Sequence, residues 1–185
     1  GRPGARRKDP DFYKLVLLNR ILGGGGLASR LGKKIRTEMG LAYSVESHLA
    51  SYQDAGSLMT FTVTKNENAQ KAIGTILDEI QRLRFEPVGR EELEAAKAFY
   101  NGNFPLRFET NAQFADLLLF TENYGMGLSY FKEYLEGINR VTVREIRETA
   151  AEYLDPDNCY VIVVTRVSEY FNSVARSGEQ EGLPQ

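Results

Sequence analysis

The sequence predicts an α+β fold, a small and largely antiparallel sheet covered by helices. Three observations carry that prediction. Two adjacent segments, Leu41 to Leu49 and Ser57 to Thr64, alternate with a period of two, as half-buried strands do. The polar connection between them, Ser51 to Gly56, is short enough that an antiparallel hairpin is the simplest join. Elsewhere apolar residues recur with the 3.6-residue period of helices, so the expected order is α-α-β-β-α-α-α-α-β, with helices layered on one face of the sheet.

The elements follow in order. Residues 1–8 carry Arg2, Arg6, Arg7 and Lys8 with Pro3 and two glycines, and read as a flexible lead-in. A polybasic contact arm is the sharper alternative, opposed by Asp9 and Asp11 immediately after. Asp9-Pro10 starts the first helix, because Pro suits the first turn and Asp caps free amides. Phe12, Leu15, Val16, Leu18 and Leu22 give that helix its apolar stripe until Gly23 to Gly26 break it. A second helix is expected over 27–37, with Leu27, Leu31 and Ile35 on one face. Gly40 ends it, and Leu41 opens the first strand.

After the hairpin, Asn66 starts a helix bearing Ala69, Ile73, Ile76, Leu77, Ile80 and Leu83 at helical spacing. Pro87-Val88-Gly89 punctuates. The next helix begins near Arg90, with Leu93, Ala96, Phe99 and Tyr100 on one stripe and a break at Pro105. The pattern resumes through Phe114, Leu117, Leu118 and Phe120, ends at Gly125 and Gly127, and is followed by a short helix over 128–135. Thr142-x-x-Glu145 is a capping box opening a last helix. The β-branched run Cys159 to Val167 reads as a buried strand. The domain is therefore expected over 9–167, with a flexible tail over 168–185. A further strand preceding Gly1 in a parent chain is also expected, since three strands make a small sheet.

Composition removes several function classes. The chain has 185 residues, enough to bury a core without a disulfide or metal staple. It has one cysteine, Cys159, so no internal disulfide or CxxC zinc site can form. It has one histidine, His48, whereas catalytic zinc usually takes two or three histidines. Glu46 and His48 share a strand face, so two zinc ligands are conceivable, but a lone surface histidine is the plainer reading, and no metal and no cofactor is expected in this chain. The net charge of −2 gives no global basic surface for nucleic acid. No apolar run approaches the roughly 18 residues that span a bilayer. No hydrophobic stretch follows the basic N-terminal residues, so a signal peptide is not expected; the missing initiator methionine suggests a fragment of a larger protein. A soluble chain is expected, with cytoplasm or periplasm left open.

Two constellations could carry chemistry. Gly23, Gly24, Gly25 and Gly26 could present backbone amides to a ligand. No strand precedes them and no Gly-Lys-Ser/Thr follows, so the phosphate-loop pattern fails, and a link between packed helices and a peptide-contacting loop both remain. The second is Arg36 and Tyr43. The helix-turn-strand around Gly40 brings a guanidinium and a phenol towards one sheet edge, and both can donate to a carbonyl or an oxyanion. Read as structure alone, Arg36 would cap helix carbonyls and Tyr43 would be half buried. Glu91, Glu92 and Glu94 read as a solvated helix face, and Cys159 as a small core residue.

Residues 19–45 also resemble a known signature. "LGGG" at Leu22 to Gly25, "SRL" at Ser29 to Leu31, "IR" at Ile35-Arg36 and "GLAYSV" at Gly40 to Val45 look like the C-terminal half of the pitrilysin-like (M16) zinc peptidases. Glu92-Leu93 with Lys97, Tyr124-Gly125, Val141-Thr142 with Ile146, and Tyr153-Leu154 through Val164 extend the match less specifically. The resemblance implies a LuxS/M16-type metalloenzyme fold. It implies a division of labour in which one half carries zinc on a His-x-x-Glu-His motif and a second half of the same fold closes over it. The second half would lend Arg36 and Tyr43 to grip the substrate near the scissile peptide, with Gly23 to Gly26 close to the substrate chamber. This chain contains no His-x-x-Glu-His, so alone it would not be an enzyme. The implied partners are a zinc-binding M16 domain, fused or separate, and a peptide substrate, within a homodimer or heterodimer. A non-catalytic structural subunit of the same fold is the alternative.

Overall fold

The protein is described by a computed structural model over residues 1–165. Its sheet has three antiparallel strands, β1 (Arg2–Gly4), β2 (Ala42–Ser51) and β3 (Gly56–Thr64), in the order β1-β3-β2. The hairpin of β2 and β3 is the one the sequence predicts. The helices are α1 (Phe12–Asn19), α2 (Ala69–Phe85), α3 (Arg90–Asn103), α4 (Asn111–Asn123), α5 (Tyr130–Arg140) and α6 (Val143–Tyr153). Helices lie against the inner face of a small antiparallel sheet, as an α+β layer requires.

The core follows from the pattern. In α1, Phe12, Leu15, Val16, Leu17 and Leu18 are all buried, because the helix is covered on nearly every side. It packs on β2 and also meets α3, α5 and α6. Leu22, Leu31, Ile35, Leu83, Ile138 and Ile146 are also fully buried. Each such side chain contributes about 1.5–3 kcal/mol by leaving water. Phe104 stacks on Tyr134 with ring centroids 4.7 Å apart, and Tyr13, Tyr100 and Tyr130 meet Tyr134 edge-on or tilted. Burial pushes the phenols of Tyr100, Tyr130 and Tyr134 up, so they stay neutral donors.

Three expectations need correction. Residues 1–8 are not a free lead-in: Arg2, Pro3 and Gly4 pair with Leu58, Ser57 and Gly56, and Ala5 is buried. The Arg7 guanidinium lies 4.0 Å from the Phe12 ring centroid and 4.9 Å from that of Phe120, and donates to the Tyr130 hydroxyl. Three residues are too few to show a strand period, and edge position tolerates Pro3. The expected strand over Cys159 to Val167 does not form across its described part, 159–165. Tyr160 exchanges two backbone hydrogen bonds with Gly1, of 2.9 and 2.7 Å, and Val161, Ile162, Val163 and Val164 beyond it are exposed. One exchanged pair is not a ladder. Residues 166–185, with the end of that strand and the expected tail, lie outside the described residues.

The third correction concerns Glu92. It is not on a solvated face, because Arg30 grips its carboxylate bidentately at 2.9 and 2.8 Å and ties α3 to the segment after the glycine run. Burial acts to raise the Glu92 carboxyl, but the Arg30 fork, a Gly89 amide and the Lys33 charge outweigh it and hold it below its ordinary value. A carboxyl depressed by folding stabilises above its unfolded pKa, and that contribution fades as pH falls through the folded one. Glu92→Gln is therefore expected to lower the urea midpoint at pH 7, with the deficit shrinking towards pH 3. An equal deficit at both pH values would contradict the pair.

Candidate functional site

Arg36 sits on a π-helical turn, Gly32–Glu38, whose wide winding shows in the Met39 N–H donating to the Lys34 carbonyl at 3.1 Å. Such turns occur frequently at functional sites. Ile35 anchors it in the core, and the Leu41 N–H reaches back across Gly40 to the Ile35 carbonyl at 2.9 Å. Gly40, at φ +59°, makes the turn into β2.

Tyr43 then falls at an irregularity of the sheet. Ala42 pairs with Thr64 and Ser44 with Val63, leaving Tyr43 as an extra residue with no cross-strand partner. A bulge of this kind re-aims a side chain, and Tyr43 is 81% exposed rather than half buried. The Arg36 guanidinium carbon lies 4.5 Å from its ring centroid, within cation–π range. Arg36 has no carboxylate partner, and the Tyr43 hydroxyl no hydrogen bond, among the described residues. Folding thus brings together two polar donors and leaves both facing solvent, and groups of this chemistry can donate to a carbonyl oxygen.

The surface continues across the hairpin. Along β3 the polar row Thr60, Thr62 and Thr64 turns inward, where Thr62 and Thr64 donate to the Ser44 and Leu41 carbonyls. The apolar row turns outward: Met59, Phe61 and Val63 are 48%, 59% and 62% exposed. Opposite them stand His48, Glu46 and Ser44 on β2. A contiguous exposed apolar row on a sheet face marks a contact surface. The alternation is legible in the sequence, but not which row faces out. His48 and Glu46 approach to 3.3 Å, and no group of three His, Cys, Asp or Glu among the described residues could hold a metal ion. The donor set does not fit zinc.

The glycine run forms a π-helical turn, Arg20–Gly24, and a 3₁₀ turn, Gly26–Ala28, instead of opening directly into an α-helix. Gly23 is buried on the inner side of β2: a Cβ there would lie 2.6 Å from the Ser47 nitrogen and 2.9 Å from its Cβ. The Ser47 hydroxyl in turn donates to the Asn19 carbonyl at 3.0 Å. A Cβ at Gly24 would meet the end of the Asn19 side chain at 2.6 Å and, less closely, the Asn19 carbonyl oxygen at 3.2 Å. Gly26 has φ +58° and open space around it, and its carbonyl packs on Gly32, the first residue of the turn that carries Arg36. Gly24 and Gly26 are exposed and Gly25 is partly so. The run therefore touches the base of the Arg36 turn through Gly26 and Gly32. Gly23→Ala is expected to cost about 1–3 kcal/mol by overpacking against backbone. Gly24→Ala should cost much less, because the Asn19 side chain can swing away. Urea denaturation of both variants checks this; equal stabilities would contradict it.

Sequence reasoning missed Arg20. Its guanidinium stacks 3.4 Å from the Phe99 ring centroid and donates to the Gly24 carbonyl at 2.9 Å, linking the glycine run to α3. No helix among the described residues is long and apolar enough to cross a membrane.

Comparison with known proteins gives one consistent result. Residues 1–100 match the family described as "Peptidase M16 inactive domain". The chain is 36% identical over 99 residues to a Bacillus subtilis protein named "Uncharacterized zinc protease YmxG", a match covering 54% of this chain and 24% of that protein. It is 31% identical over 141 residues to a Helicobacter pylori protein named "Non-peptidase homolog YmxG", covering 75% of this chain and 32% of that one. Among solved structures, a peptidase M16 inactive domain from Pseudomonas fluorescens superposes with a TM-score of 0.76 at 28% identity, covering 84% of this chain and 37% of that chain. The chain thus spans about a quarter to two fifths of the length of these relatives.

Proposed function

The chain belongs to the peptidase M16 inactive-domain family, and from that premise we propose that it is the substrate-binding, non-zinc half of a peptide-hydrolysing zinc metallopeptidase. Its partner would be a zinc-bearing M16 domain, in the same polypeptide or a separate subunit. Zinc would reside in that partner, since no group of donors among the described residues here fits it. The observation that carries the reading is the Arg36–Tyr43 pair on the bulged end of β2, beside the outward apolar row of β3.

In this reading the guanidinium and the phenol donate to the carbonyl of the peptide being cleaved and hold the negative charge that develops on its oxygen. Preorganised donors of that kind act most strongly in the transition state. Gly23 to Gly26 would line the approach to the pair, with Gly26 seated on the turn that bears Arg36. The apolar row would face the peptide and the partner domain.

A second reading, a non-catalytic structural subunit, is favoured by the Helicobacter pylori relative's name. Reconstitution separates the two. Mixing this chain with a zinc-bearing M16 domain is expected to give peptide hydrolysis that neither shows alone. Assembly without any gain in hydrolysis would favour the structural reading.

A further inference from the structure

On the helical side of the molecule, the end of α3 and the 3₁₀ turn Pro105–Phe108 enclose a cleft of about 310 Å³. Its walls are Phe99, Tyr100, Phe104 and Leu106, and Arg107 stands at its side. The walls are fixed by contacts with one another and with groups outside the cleft. Phe104 stacks on Tyr134, and the Tyr100 hydroxyl donates to the Val16 carbonyl at 3.4 Å. Phe99 is held between Tyr100, edge-on at 5.4 Å, and the Arg20 guanidinium. Leu106 is 50% exposed and forms the lip.

Arg107 is the one strong charge on this lining. Its guanidinium lies 6.0 Å from the Tyr134 ring centroid, is exposed, and has no carboxylate partner among the described residues. The neighbouring polar side chains are already engaged. The Asn103 amide donates to the Phe99 carbonyl at 2.9 Å, and the Gln113 carbonyl oxygen accepts the Thr110 N–H at 3.0 Å.

An apolar slot walled by ring faces and edges suits an aromatic ring, which gains from edge-to-face contact beyond its buried area. An unpaired guanidinium beside it suits a carboxylate, which it can grip with two parallel hydrogen bonds. A C-terminal aromatic residue of a peptide carries both groups a few bonds apart. We infer that this cleft binds peptide C-termini ending in an aromatic residue, with the ring between Phe99, Tyr100 and Phe104 and the carboxylate on Arg107. The site stands apart from the Arg36–Tyr43 pair and does not depend on it.

The test is an NMR titration of the 185-residue chain with N-acetyl-phenylalanine, N-acetyl-phenylalaninamide and N-acetylglycine. The acid is expected to produce saturable shifts at the backbone amides of residues 99–104, 106 and 107. The amide, lacking the charge, should bind about tenfold more weakly or worse, and N-acetylglycine should not saturate. Arg107→Gln should bring the acid to the amide's affinity, while Arg36→Gln leaves it unchanged. Equal binding of acid and amide, shifts that never saturate, or an Arg107→Gln variant that binds like the parent would overturn the proposal. So would loss of binding in Arg36→Gln, which would place the ligand on the sheet face.

Discussion

If the chain completes a peptidase as proposed, Tyr43→Phe in that assembly is expected to lower kcat by about 10²–10³-fold, with KM nearly unchanged. The ring remains, so its contact with Arg36 and the bulge that aims it remain. Only the hydroxyl is lost, and that hydroxyl has no partner within the described residues. Because Tyr43 is 81% exposed, the fold should be indifferent to the change. An interaction made only in the transition state lowers kcat and kcat/KM together. Steady-state kinetics decides the matter: a raised KM at constant kcat would make Tyr43 a ground-state contact, and unchanged kinetics would remove it from the site.

Ile35→Ala is expected to cost about 2–5 kcal/mol, a large share of the roughly 5–15 kcal/mol that holds a domain of this kind together. Ile35 is fully buried and immediately precedes Arg36, and its carbonyl accepts the hydrogen bond that closes the turn into β2. The cavity would lie under the residue that carries the guanidinium, so site geometry and stability should fall together. Urea denaturation measures the first effect; a loss under about 0.5 kcal/mol, the range of surface changes, would contradict the packing described.

What could be read from the sequence was local. The Thr142–Glu145 capping box forms as its spacing predicts, and Thr110–Gln113 repeats the same device at the start of α4. Pro105 ends α3 as its missing amide requires, and Gly125 and Gly127 follow α4 with positive φ. Arg36 and Tyr43 were legible as a pair because only a short turn separates them. What depends on a distant partner was not legible. The bulge that frees Tyr43 is defined by the register of β2 against β3, and β1 exists only through its pairing with β3. The outward turn of Met59, Phe61 and Val63 depends on which face the helices cover. Arg30 and Glu92 lie 62 positions apart, so nothing near either one announces their ion pair. The run at Cys159 failed in the other direction: strong strand propensity formed no ladder in its described part because only Gly1 pairs with it there.

The central claim is that Arg36 and Tyr43 touch the oxygen on which charge develops. A phosphinic peptide, whose tetrahedral anionic phosphorus mimics the carbonyl under attack, tests that contact without turnover. In the proposed assembly its inhibition constant should weaken in Tyr43→Phe by the same factor by which kcat/KM falls. An inhibition constant equal to that of the parent would contradict the account.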